Sequence, residues 1–234
     1  MYSEERNILI ICEGKDEITL FNTISRYFPI EFGFQFYCYE TNIHIFGNYL
    51  FDNYLAKGFD MDDLDVIQVL KEYRDDHVLK NKYTDILLIF DFDPHDPRFN
   101  KGRLLLLQEM FSESTNQGQL FINYPMIESA IDFYMLPDES YNSKTCSKTD
   151  LYRGGYKNQV KQKSVIKKIE NIDMDSLPMI LKHTFEKLKY LVGLDNTKYL
   201  NLLKMQKQDK IYILNSSLLF LYEYSPKVFE DYVR

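Results

Sequence analysis

The residues best suited to chemistry in this sequence are acids that sit at the ends of apolar runs. In "ILLIFDFDPHDP", Asp91 and Asp93 follow the apolar residues 86–90 directly. Residues two apart on an extended chain face the same side, so this spacing predicts two converging carboxylates. Like charges held close repel unless a cation stands between them. Mg²⁺ suits such a pair, because it takes hard oxygen ligands and commonly uses one or two carboxylates with waters and phosphates. Mn²⁺ is expected to substitute. In "ILIICEGKDEITLFN" the apolar residues 8–12 end in the same way, on Glu13 and Gly14. If the two runs are neighbouring strands, Glu13 emerges at the same edge as Asp91 and Asp93, and Gly14 lets the backbone turn tightly beside a phosphate. The competing reading of an acid pair at a strand end is a solvated loop or a helix cap.

The elements that would position these acids follow from periodicity. Residues 8–12 and 85–93 read as strands buried on both faces, 32–40 as an aromatic, roughly alternating strand, and 118–125 as a short strand. Between them, Asp16 to Phe28 reads as a helix with Ile18, Phe21, Ile24 and Ser25 on one side. Lys15 and Glu17 are expected at the surface. "IFGNYLFDNYLA", "DDLDVIQVLKEYRDDHVLK" and "MIESAIDFYML" also read as helical. Strands alternating with helices predict an α/β fold with a mainly parallel sheet. After Pro137 the texture turns polar, with Gly154 and Gly155, and helical patterns follow at 158–170, 176–192 and 207–224. The expected division is therefore a catalytic domain over residues 1–138 and a basic, mainly helical region over 139–234.

With 234 residues, 45% apolar and 15% aromatic, the chain can bury a large core. Its three scattered cysteines indicate neither a disulfide framework nor a zinc site. The first residues, "MYSEERN", lack a basic region ahead of a long apolar core, so no secretory signal is expected, and apolar runs of about five residues fall far short of the ~20 needed to span a membrane. The expectation is a soluble, cytoplasmic protein with no membrane association. A net charge of −7 argues against nonspecific coating of nucleic acid. Charge is nevertheless segregated: residues 52–76 hold eight acids and three bases, whereas 144–168 hold eight bases and one acid. In the basic stretch Lys144, Lys148, Arg153, Lys157, Lys161, Lys163, Lys167 and Lys168 either track a phosphate backbone or form an ordinary solvated face. Tyr152 and Tyr156 around "RGGY" are candidates to stack on unpaired bases, with the two glycines allowing close approach. The acidic stretch reads as a solvated face or a docking surface.

"IICEGKDE" and "LIFDFD" resemble the two signatures of the Toprim domain, a Rossmann-like fold shared by topoisomerases, bacterial primases, OLD-family nucleases and small ribonucleases. The resemblance covers about residues 6–136. It implies that Glu13, Asp91 and Asp93 bind Mg²⁺ and support phosphoryl transfer. Toprim nucleases often bring a further acid one helical turn after the glutamate, and Asp16 matches that spacing; it equally reads as a first-turn acid favoured by the helix dipole. Asp96 is a candidate supplementary ligand. His95 either bonds a scissile phosphate or is solvated. "NYPMIESAIDFY" resembles a segment of Toprim nucleases from phage-defence systems in which a glutamate starts a helix beside the site, which implies a ligand role for Glu128.

The length leaves little room for the nucleophilic tyrosine domain and gate of a topoisomerase, and the cysteines cannot supply a primase zinc module. A haloacid-dehalogenase-like phosphatase would carry the acid pair on its first strand, whereas here a separate strand and Glu-Gly precede it. What remains is a metal-dependent nuclease acting on RNA or DNA. No GxxxxGK[ST] is present, so an energy-driven step needs a partner ATPase. The resemblance implies an anti-phage effector working beside such a partner, with self-assembly into a homo-oligomer also open. The alternative is a catalytically silent Toprim-like scaffold that binds a partner ATPase or nucleic acid.

Overall fold

In chain order the elements are β1 (Arg6–Cys12), α1 (Lys15–Tyr27), β2 (Phe32–Cys38), α2 (Ile43–Asn53), α3 (Val66–Tyr73), β3 (Asp85–Asp91), α4 (Lys101–Met110), β4 (Ser112–Glu113), β5 (Gly118–Asn123), β6 (Thr145–Cys146), α5 (Lys148–Leu151), α6 (Gly155–Lys163), α7 (Ser176–Val192), α8 (Lys198–Met205), β7 (Ile211–Tyr212), α9 (Phe220–Tyr224) and α10 (Pro226–Tyr232). The structure is a computed structural model, and it describes residues 6–30, 32–60, 64–114 and 117–234. Asp62 and Asp63, where the helical reading of "DDLDVIQVLKEYRDDHVLK" begins, lie outside the described residues.

Five strands form one sheet in the order β2-β1-β3-β5-β4. β1 is parallel to β2 on one side and to β3 on the other, and only the short β4 is seen to pair antiparallel, with β5. The fold is thus α/β with a mostly parallel sheet, as the alternation of strands and helices requires. The central position of β1 explains its sequence: Ile8, Leu9, Ile10, Ile11 and Cys12 are all fully buried, because a strand paired on both edges and covered on both faces has no polar side. Residues 87–90 of β3 are buried in the same way.

The chain divides into two compact units. The first comprises Met1–Lys15, Glu31–Phe90 and Arg98–Phe121, and the second Asp16–Ile30, Asp91–Pro97 and Ile122–Arg234. Residues 139–234 therefore lie wholly in the second unit, together with three earlier pieces of chain. In the first unit Phe46 stacks on Phe90 with centroids 5.5 Å apart, and Tyr39 meets Phe46 edge-on at 5.2 Å. In the second, Phe21 stacks on Phe220 at 5.0 Å, Phe28 meets Tyr232 at 5.0 Å, and Phe133 stacks on Tyr141 at 4.5 Å. Aromatic pairs of this kind add about 0.5–1.5 kcal/mol each beyond their buried area.

The structure departs from the sequence pattern at several elements. The buried side of α1 is Glu17, Leu20, Phe21 and Ile24, with Thr23, whereas Ser25 is exposed and Ile18 half-buried. Positions 17, 20, 21 and 24 follow the 3.6-residue period, so Glu17 is carried inward by the same face as the leucine and phenylalanine. It is 3% exposed and is not a surface residue. "MIESAIDFYML" is not an α-helix. It forms one 3₁₀ stretch, Ile127–Ile131, whose five residues are all buried, so it lacks the polar face that an amphipathic helix presents to water. The pattern at 158–170 breaks at Ser164, which caps α6 in an extended conformation and hydrogen-bonds through its hydroxyl to the Ile131 carbonyl. The stretch 207–224 is divided among β7, a 3₁₀ turn at Ser216–Leu219 and α9, because residues 211–214 pair as extended chain with β6 and with Tyr124. Helix α7 matches 176–192 as expected, while α8 has no counterpart in the sequence reading. Among the described residues no helix is long and apolar enough to cross a membrane.

Candidate active site

Parallel pairing of β1 and β3 sets Cys12 opposite Ile89, so both strands run to the same edge of the sheet. Glu13 is the first residue after β1, and Asp91 is the last of β3. Glu13 belongs to the first unit, where its carbonyl accepts a hydrogen bond from Glu40 N at 3.1 Å, and Gly14 lies in the bend that leads to α1. Asp91, Asp93, His95, Asp96, Asp16, Glu128 and Lys157 all belong to the second unit.

Phe92 fixes the geometry of the Asp91-Phe92-Asp93 segment. Its ring is 1% exposed and packs 5.2 Å from Tyr124, and its N–H donates to the carbonyls of Asn123 at 3.0 Å and Pro125 at 3.2 Å. The flanking Asp91 and Asp93 are half-buried. Strict same-side alternation does not extend to Asp93, because its φ is +41° and β3 has already ended. Aspartate is one of the few residues that tolerates this left-handed region, and strained backbone of this kind concentrates at functional sites. Asp96 N then donates to Asp93 O at 3.1 Å, closing a turn. Within that turn His95 Nδ1 stands 3.9 Å from Asp93 Oδ1, beyond hydrogen-bond reach.

Asp16 and Glu128, which the sequence reading treats as metal ligands, are joined by a side chain. Lys157 Nζ lies 3.4 Å from Asp16 Oδ2 and forms an ion pair with Glu128 Oε1. Burial works against the lysine's charge, but the hydrogen bond and charge of Glu128, with Asp16, hold its pKa above the ordinary value. Nothing in the sequence signals this contact, because Lys157 and Asp16 are 141 residues apart and Glu128 lies on neither of their elements.

The basic stretch is used in two different ways. Lys144 is not a surface cation: its side chain is 11% exposed and its Nζ donates to Asp132 Oδ1 at 2.7 Å and to Asp132 O at 2.6 Å. Tyr156 does not offer a stacking face, since it is 1% exposed and its hydroxyl donates to Asp132 Oδ2 at 3.0 Å. Both were drawn inward by Asp132, a fully buried carboxylate that requires a counter-ion and donors. Gly155 also serves the chain itself, as a Cβ there would meet the Asp150 carbonyl at 2.5 Å. By contrast Tyr152 is 53% exposed, Arg153, Lys161 and Lys163 are exposed, and Lys148 is half-buried. Lys167 and Lys168 are exposed as well.

Compared with protein-family models, curated proteins and solved structures, the chain matches none. The site must therefore be judged on its own chemistry. Among the described residues no group of three or more His, Cys, Asp or Glu side chains stands close enough to hold a metal ion. Mg²⁺ does not need such a group, since it commonly binds through one or two carboxylates and completes its shell with waters and substrate phosphates. Asp91 and Asp93, half-buried residues on either side of the anchored Phe92, carry oxygen donors of that kind.

Proposed function

We propose that the chain is a Mg²⁺-dependent nuclease of Toprim type that hydrolyses phosphodiester bonds in RNA or DNA. The observation that carries this reading is the parallel β1–β3 register, which brings the strand followed by Glu13 and the strand ending in Asp91 to one sheet edge. Such an edge is where parallel α/β sheets take their ligands. Asp91 and Asp93 hold the ion, and the Toprim resemblance gives Glu13 the role of a further ligand or of the base that accepts a proton from the attacking water. Mg²⁺, when bound, supplies polarisation of the phosphoryl oxygen and a more acidic water. Arg153 and Lys161, with Lys148, neutralise the phosphate backbone, and Tyr152 stacks on an unpaired base. The chain has no phosphate-binding loop of its own, so an effector role in anti-phage defence would draw its trigger from a partner ATPase.

The test is cleavage of labelled RNA and DNA with Mg²⁺ and with chelator. Cutting that requires Mg²⁺ and falls at least about a hundredfold in Asp91→Ala and Glu13→Gln, with folding retained, supports the reading. Undiminished cutting in those variants overturns it. A second reading, a catalytically silent scaffold, draws on the lysine that neutralises Asp16 and Glu128. It predicts neither metal binding nor cutting, with partner association intact.

A further inference from the structure

Lys157 is held on an anchored element. Helix α6 begins at Gly155, after Gly154 in the left-handed region (φ +70°). Tyr156 and Val160 face inward, and the Tyr156 hydroxyl is tied to the buried Asp132. The helix is thereby fixed in phase, and the residue beside Tyr156 is directed at Glu128 and Asp16. Exposure is graded across the three side chains: 8% for Glu128, 42% for Lys157 and 57% for Asp16. The ammonium of a part-exposed lysine thus pairs with a nearly buried carboxylate. Without it, Glu128 would be an enclosed anion near a second anion, an arrangement that requires a cation or a proton.

An ammonium and a divalent ion compete for the same oxygens. We propose that Lys157 is the built-in counter-ion of Asp16 and Glu128 and keeps a divalent ion from that pair, so that the chain binds one Mg²⁺, at Asp91 and Asp93, rather than two. This rests on the metal-dependent reading above. It assigns Lys157 to charge balance of the site rather than to the nucleic-acid surface, and makes it a positioning residue for Glu128.

The experiment counts ions bound to the full chain by electron paramagnetic resonance during a Mn²⁺ titration. The wild type and Lys157→Arg should bind one ion. Lys157→Met should bind two, and the added ion should be lost again in Lys157→Met/Glu128→Gln. Circular dichroism checks folding; should Lys157→Met not fold, Lys157→Gln, which keeps a donor but no charge, should bind two. Two ions on the wild type, or one on both the wild type and the folded uncharged variant, overturns the inference while leaving the metal-dependent nuclease standing. No ion on the wild type with one on the uncharged variant upholds the counter-ion role and removes the nuclease reading. No ion on either removes both.

Discussion

Replacing Lys144 by methionine should unfold the protein more readily rather than weaken its grip on nucleic acid. The Lys144 ammonium contacts Asp132 through both the carboxylate, at 2.7 Å, and the main-chain carbonyl, at 2.6 Å. Asp132 is 0% exposed and its second oxygen accepts only the Tyr156 hydroxyl among the contacts described. Methionine keeps most of the aliphatic stem beside the Tyr134 ring, over which Nζ lies at 3.7 Å, so the change removes charge more than volume. An exposed ion pair would contribute about 0–1 kcal/mol. A pair out of water behaves differently, because losing one partner leaves the other desolvated and uncompensated, at a cost of about 3–5 kcal/mol. At roughly 2–4 °C per kcal/mol for a chain of this size, the melting temperature should fall by about 6–20 °C. Urea and thermal unfolding, followed by circular dichroism, measure this directly. The double variant Lys144→Met/Asp132→Asn removes both charges and should recover a good part of the loss. A drop below about 2 °C, or a double variant no better than the sum of the singles, would refute the reasoning.

Phe21→Ala should cost about 3–5 kcal/mol in urea unfolding, since Phe21 is fully buried against Phe220 and its removal leaves a cavity. Gly118→Ala should destabilise the first unit, because its φ is +92° and the new Cβ would stand 2.5 Å from Leu88 Cδ1; an unchanged urea midpoint would contradict this. Lys187 gives a pH dependence. Its amine donates to the carbonyls of Tyr141 and Lys144, and burial, followed by the nearby Lys144 charge, lowers its pKa to about 7. Between that value and the ordinary lysine value the unfolded chain binds the extra proton, so wild-type stability should rise with pH from 7 towards 10 relative to Lys187→Met. Urea midpoints for both proteins at several pH values check the sign, and a gap that moves the other way would contradict it.

Most of the sheet was legible because a strand buried on both faces has only one way to be written, as an unbroken apolar run. Residues 8–12 and 86–90 read as buried strands on that ground, whereas their adjacency was only a condition of the sequence reading and is given by the β1–β3 pairing. The helices of the second unit were harder to read. Residues 127–131 and 213–219 are buried whether apolar or polar, Glu128, Ser129 and Asn215 included, and periodicity carries no signal where there is no solvent face. Long-range charge pairing was wholly hidden. Whether a lysine in the stretch 144–168 faces solvent, as Lys161 does, or a buried carboxylate, as Lys144 does, depends on Asp132 and on the start of α6. Neither is visible in the spacing of the lysines. Glu17 was misplaced for a simpler reason: a charged residue was assumed to be outside, although its helical phase matched Phe21 and Ile24.

The central claim is that the end of β3 is a divalent-cation site, and anomalous diffraction from crystals soaked in Mn²⁺ tests it most directly. A peak is expected within coordination distance of the Asp91 and Asp93 carboxylates, absent in Asp91→Ala crystals. Ordered crystals with no peak there, or with Mn²⁺ only at unrelated acids such as those of residues 52–76, would contradict it.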